Sequence, residues 1–198
     1  MKRSLAYLFL VLVLTFSLQS WTKADDIRNF EIEGMSIGDN LLNFYEEKTI
    51  LDLKKDFYTN DRFMTSSFRT VLNSDKFDSL QISYDQSFKI YEIEGAIDFI
   101  SKNNNCIKKF DEIYKEISSI FPRAKKTDLI KKKLTYDKSG QSIVTGRQIY
   151  FKGDDYIQVA CFDMSKKLEE QGYIDVLKLT LTTRKFADWR RVNTKSLN

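Results

Sequence analysis

The chain contains no histidine. That excludes Ser–His–Asp and Cys–His catalysis, and every histidine-ligated zinc or iron site. Cysteine is nearly absent as well: Cys106 and Cys161 are the only two among 198 residues. Two thiols are too few for a metal cage, and with no C-x-x-C spacing they do not form a redox motif. Proline occurs once, at Pro122, and glycine seven times. No Pro- or Gly-rich linker therefore marks a second domain. Past residue 24 no apolar run approaches the roughly 20 residues that cross a bilayer.

What is present begins at the N-terminus. Met1-Lys2-Arg3 precedes an apolar run from Leu5 to Leu18, and a polar stretch then leads to Ala24, with Thr22 two positions earlier. A basic start, a short apolar core and small residues before the cut make a secretory signal. Residues 1–24 are expected to be the signal peptide, cleaved between Ala24 and Asp25, with 25–198 as one globular domain and no transmembrane anchor after cleavage. No cysteine lies near the cut, so a lipid-modified terminus is excluded. The expected location is outside the cytoplasm, in the periplasm.

Removing Lys2, Arg3 and Lys23 changes the charge. The whole chain is formally +4, but residues 25–198 hold 29 basic and 28 acidic side chains. The basic character that would invite a nucleic-acid reading disappears. An asymmetry survives: residues 25–100 hold 8 basic and 16 acidic side chains, and residues 101–198 hold 21 and 12. Either the halves face each other or are solvated separately, or the molecule is electrostatically polar and meets a charged partner.

Hydrophobic periodicity predicts an α+β domain: an antiparallel sheet with helices packed on one face, in the order helix, strands, helix, strands, with a short C-terminal helix. Ser36 with Asp39 reads as a helix cap before Ile37, Leu41, Leu42, Phe44 and Tyr45, predicting a helix over 37–47. Alternation of period two predicts strands near 62–71, 77–84 and 88–98, then near 129–136, 142–151, 156–163 and 174–182. Cys106, Phe110, Ile113, Ile117 and Ile120 step by four, three, four and three, the stripe of a core-facing helix that ends at Pro122. Cys161 shares a strand face with Ile157 and Val159, so both cysteines point into one helix–sheet interface. A Cys106–Cys161 disulfide is expected in an oxidising compartment. Closing 56 residues, it stabilises by roughly 4 kcal/mol in the chain-entropy model.

Candidate chemistry is sparse, and no catalytic, cofactor or metal-binding residue is assigned. Glu92 and Glu94 share one side of a strand, about 7 Å apart by the strand rise, within reach of glycosidase-type carboxylate pairs; alternating Glu also simply keeps a strand face wet. Gly153-Asp154-Asp155 offers oxygens to a cation but reads better as a turn. Arg123, Lys125, Lys126, Lys131, Lys132 and Lys133 form the densest basic stretch, a weak candidate for anions or acidic envelope polymers, or a solvated strand edge. Trp189, with Phe186, is expected to dock a terminal helix.

Several short motifs carry a resemblance. They are Ile32-Glu33-Gly34-Met35-Ser36-Ile37-Gly38-Asp39 with Leu41-Leu42, then Asp137-Lys138-Ser139-Gly140, Cys161-Phe162-Asp163-Met164-Ser165, and Phe186-x-Asp188-Trp189. Together they resemble a family of small exported proteins, without assigned activity, from marine bacteria with compact AT-rich genomes. Asn40 and Met164 depart from that family's Ser and Trp. The resemblance implies export to the periplasm and supplies no catalytic residues. Gly34-Met35-Ser36 is also similar to the helix opening of small lipoproteins that assist outer-membrane assembly, a likeness of fold only. The expectation is an exported envelope protein that acts as a non-enzymatic binding or interaction module, without cofactor and without nucleic acid. Its partner would be an envelope protein or an anionic envelope polymer. The alternatives are a histidine-independent hydrolase built on carboxylates, or a peripheral binder of anionic membrane through residues 123–133.

Overall fold

A computed structural model describes residues 26–100 and 106–195; the Ala24–Asp25 cleavage point lies outside the described residues. The strands are β1 (Lys54–Lys55), β2 (Phe63–Ser67), β3 (Ser79–Asp85), β4 (Ile90–Phe99), β5 (Lys125–Lys126), β6 (Ile130–Lys133), β7 (Ile143–Tyr150), β8 (Tyr156–Asp163) and β9 (Asp175–Thr182). The helices are α1 (Glu47–Asp52), α2 (Cys106–Ile120), α3 (Lys166–Glu169) and α4 (Arg184–Asn193). All nine strands join one sheet in the order β1-β2-β3-β4-β9-β8-β7-β5, with β6 also paired to β7. Every pairing is antiparallel. The fold is therefore α+β with a large antiparallel sheet and helices packed against it.

The pairing register decides which side chains share a face. Ile93 lies opposite Ile82 and Leu181, Ile97 opposite Leu177, and Leu177 opposite Cys161. These residues face the main core. Helix α2 covers it with Cys106, Phe110, Tyr114 and Ile117, all buried. The Cys106–Cys161 disulfide staples helix to sheet, with Cα atoms 5.9 Å apart. The helix ends before Pro122, and Lys126 donates its ammonium to the carbonyls of Phe121 and Pro122, satisfying acceptors that a helix end leaves open.

The N-terminal segment covers the rest of this face, but not as a helix over 37–47. Ile32 and Met35 close a tight two-residue turn through paired main-chain bonds of 3.0 Å. The Gly38 and Leu41 amides then donate to the carbonyls of Ile90 and Phe88, at 3.0 and 2.8 Å, while Asp39 accepts from Ile90. Gly38 takes φ +97°, which a helix does not allow. Asp39 does reach back to the Ser36 amide, at 2.8 Å, but the Ser36 hydroxyl donates to the Phe30 carbonyl, and the pair closes a turn instead of capping a helix. Pairing with the end of the β3–β4 hairpin wins, and from residue 37 to β1 helix appears only as a 3-10 turn at Leu41–Asn43 and as α1.

A bulge organises the opposite face. Ser83 lies opposite Glu92 but Tyr84 opposite Ile90, leaving Tyr91 over. The extra residue puts Tyr91 and Glu92 on one side, away from the core. Helix α4 docks there: Phe186 and Trp189 meet Phe63 with ring centroids 5.4 and 5.0 Å apart, and Tyr58 sits 4.8 Å from Trp189. Thr183 caps this helix, and Asp155 accepts from the Arg184 amide at 2.8 Å. The edges of the sheet are short and rich in lysine, at β1 and at β5–β6, a composition that discourages edge-to-edge pairing.

Candidate functional site

Helix α4 covers only one end of the second face. Beyond it Ser79, Ala96, Lys178, Ala160 and Gly146 lie opposite one another in a row across β3, β4, β9, β8 and β7. Four strand spacings make this row about 19 Å long. Three of the five carry no atom beyond Cβ, so the face is low here. Even a methyl group at Gly146 would sit 3.2 Å from the Val159 carbonyl oxygen and 3.3 Å from the Ala160 Cβ. Polar residues flank the row on one side, Gln81, Glu94, Thr180, Gln158 and Gln148. On the other side stand Asp98, Val176, Phe162 and Val144. The result is a groove of about 460 Å³ over β3, β4, β9 and β8. A neighbouring hollow of about 330 Å³ lies over β6, β7 and β8, and Tyr136 lines both.

Tyr136 and Tyr173 form the rim from two separate turns, their ring centroids 6.2 Å apart. Buried hydrogen bonds lock these turns together. Asp137 accepts from the amides of Ser139 and Ser142, both at 2.9 Å, and from their hydroxyls at 2.8 and 2.6 Å. Those bonds, the Ser142 hydroxyl foremost, hold its carboxyl well below the usual carboxylate range. Ser142 is fully buried, and its hydroxyl accepts from the Ser165 amide at 2.9 Å. Ser165 in turn caps α3. The chain leaves α3 through Gly172, and the Tyr173 amide returns to the Leu168 carbonyl at 3.0 Å. Asp175 accepts from the Met164 amide at 2.7 Å, pinning the same corner to the start of β9. Burial, with Tyr173 and Asp137 nearby, raises the Tyr136 phenol above its ordinary pKa, so it stays protonated at neutral pH.

The charges in the groove are matched. Arg69 pairs with Asp98 at 2.5 Å and Lys178 with Glu94 at 2.8 Å. The Thr180 hydroxyl adds a bond of 3.3 Å to Glu94. Lys178 also lies 5.3 Å from the centre of the Phe162 ring. Farther along, the Gln148 amide donates to Gln158 at 2.7 Å and accepts from Tyr150 at 2.8 Å.

No known family profile, curated protein or solved structure matches this chain.

The residues singled out from the sequence fall in different places. Cys106 and Cys161 come together in the disulfide. Glu92 and Glu94 share a face but do not act on a common space. Two bonds of 2.5 and 2.7 Å tie Glu92 to Arg190 beneath α4, whereas Glu94 lies in the groove with Lys178. Burial pushes the Glu92 carboxyl above its ordinary pKa against the pull of Arg190. Gly153-Asp154-Asp155 forms a turn, with Asp155 serving α4. Among the described residues no group of three or more His, Cys, Asp or Glu is placed to hold a metal ion.

The basic stretch is divided. Arg123 lies in the turn after α2, Lys125 and Lys126 form β5, and Lys131, Lys132 and Lys133 lie on β6. Consecutive strand residues point to opposite faces, so Lys132 shares the open face with Ile130 while Lys131 and Lys133 point away. Lys126 is occupied at the end of α2. Tyr136, Tyr173 and the row of small residues were not singled out from the sequence. The tyrosines adjoin turn signals at Asp137 and Gly172, and that is their only local mark.

Proposed function

We propose that the protein is exported and works outside the cytoplasm, in the periplasm, as a non-enzymatic binding module whose binding surface is the open sheet face. The observation that carries this reading is the groove itself. Its floor is lowered by Ala96, that of the adjoining hollow by Ala160 and Gly146, and the aromatic rim is held by the buried Asp137–Ser142–Ser165 bonds. A concave site with few, well-placed polar groups is how proteins hold small ligands or partner segments. Export is supported by the leader pattern of residues 1–24 and by the family resemblance. A disulfide, which persists in oxidising compartments, supports it too. Among the described residues no helix is long and apolar enough to cross a membrane.

A carboxylate hydrolase is less well supported, because Glu92 is closed off by Arg190 and helix α4 and Glu94 is neutralised by Lys178. An anionic-membrane binder is less well supported, because the cations of residues 123–133 are spread over a turn, two strands and both faces.

The test removes the rim. The purified protein is immobilised and exposed to envelope extract, alongside the double variant Tyr136→Ala/Tyr173→Ala and the control Val192→Ala. Val192 is 75% exposed on α4, away from the groove. Retention lost in the double variant and kept in the control is the expected result. Equal retention by all three proteins, each folded by circular dichroism, overturns the proposal.

A further inference from the structure

We infer that the groove takes a neutral, polyhydroxylated ligand: an uncharged saccharide chain lying across the strands. This rests on the reading of the open face as the binding surface and names its ligand class.

Three other chemistries fit the groove poorly. An extended peptide binds a sheet by adding to a free strand edge. The floor here is central: its main chain is already paired from β3 through to β7. An acyl chain or an apolar protein anchor needs a deep pocket lined by large apolar groups, whereas the apolar side chains here, Phe162, Met164, Ile174 and Val176, share the groove with Arg69, Gln81, Glu94, Asp98 and Lys178. A polyanion needs unpaired cations. The two in the groove, Arg69 and Lys178, are each matched by a carboxylate, so the groove itself is neutral, and Lys132 and Lys133 stand beyond it in the neighbouring hollow.

What remains suits hydroxyl groups. Each ion pair sets a charged donor beside a charged acceptor, and two adjacent hydroxyls on a sugar ring present the complementary pair. Gln81, on the groove wall, makes no side-chain hydrogen bond among the described residues and adds an amide donor and acceptor. Tyr136 and Tyr173 are 43% and 47% exposed. Their rings are inclined by 30° and offer aromatic faces to the apolar C–H face of a pyranose. The low floor lets such a ring lie flat. The groove volume, about 460 Å³, falls within the range of small-ligand sites.

The experiment is an NMR titration of the ¹⁵N-labelled protein with neutral tetrasaccharides of glucose, galactose and N-acetylglucosamine. Tetragalacturonate is the charged comparator. At least one neutral tetrasaccharide should shift the amides of Ala96, Gly172 and Val176 and the side-chain amide of Gln81, all of which line the groove. The affinity should not change with salt, since no charge is gained or lost. Tyr173→Ala should weaken it about tenfold, as expected for the loss of one stacked aromatic face, while Tyr173→Phe preserves it. Two results overturn the inference: silence with all three neutral tetrasaccharides, or shifts only with tetragalacturonate that vanish at high salt. If the titration is silent while the double tyrosine variant still loses retention on envelope extract, the ligand class falls and the binding surface stands. If both fail, the two readings fall together.

Discussion

Arg190→Ala leaves the Glu92 carboxylate under helix α4 without the cation that faces it. The Glu92 side chain is 7% exposed and that of Arg190 is 34% exposed. Breaking a buried pair by removing one partner costs about 3–5 kcal/mol, because the other charge is left uncompensated. Two features lower that figure here. Water already reaches a third of Arg190, and Glu92 escapes part of the penalty by taking up a proton. The guanidinium also packs 5.2 Å from the Phe186 ring, and that contact is lost. The net expectation is a loss of about 2–3 kcal/mol at neutral pH. The sign of the pH dependence follows from burial. Burial already raises the Glu92 pKa and Arg190 opposes the rise, so removing Arg190 raises it further. A carboxyl with a raised folded-state pKa contributes its stability in full below the unfolded pKa, and loses it as pH rises through the folded value. The deficit of the variant is therefore small in mild acid and grows toward neutrality. Replacing both partners, Glu92→Leu with Arg190→Met, should return stability to within about 1 kcal/mol of the parent. Urea titrations at several pH values measure this by far-UV circular dichroism and by emission from Trp189, the single tryptophan beyond residue 24. A variant as stable as the parent at neutral pH, or a deficit that does not vary with pH, refutes the reasoning.

The other perturbations act at separate places. Cys106→Ser with Cys161→Ser should cost roughly 4 kcal/mol, read as a lower melting temperature that reductant also produces in the parent; a parent indifferent to reductant contradicts this. Gly95→Ala places a methyl 2.6 Å from two carbons of the Phe77 ring and should cost about 1–3 kcal/mol. Shortening the ring with Phe77→Leu should recover part of that loss in the same unfolding assay, and an undiminished loss speaks against the contact. Asp137 has a depressed folded-state pKa, so its stabilisation is present above the ordinary carboxylate range and lost as pH falls below it. Asp137→Asn should flatten the acid limb of stability against pH; an unchanged acid limb contradicts the role given to its four hydrogen bonds.

Much of the fold was legible in one dimension because it depends on local period. Alternation located β3, β4, β7, β8 and β9 to within a residue or two. The stripe from Cys106 to Ile117 located α2 and, with Ile157 and Val159, its disulfide partner. The N-terminal helix failed because the Gly38 and Leu41 amides bond to the carbonyls of Ile90 and Phe88, a long-range competitor that no local window contains. The two-residue strands β1 and β5 have no period to detect. The groove was illegible for a related reason. Ala96, Gly146 and Ala160 are unremarkable in their own strands and become a floor only when the register lines them up. The motifs Asp137-Lys138-Ser139-Gly140 and Cys161-Phe162-Asp163-Met164-Ser165 were visible as motifs. Their use as the support of an aromatic rim depends on a single bond between Ser142 and Ser165.

Photocrosslinking in the producing cell tests the central claim most directly. Benzoylphenylalanine is placed at Tyr136, at Tyr173 and, as control, at Val192. The expected result is adduct formation at positions 136 and 173 and none above background at 192. Equal yields at all three positions, or adducts at 192 alone, would contradict the assignment of the open sheet face as the binding surface.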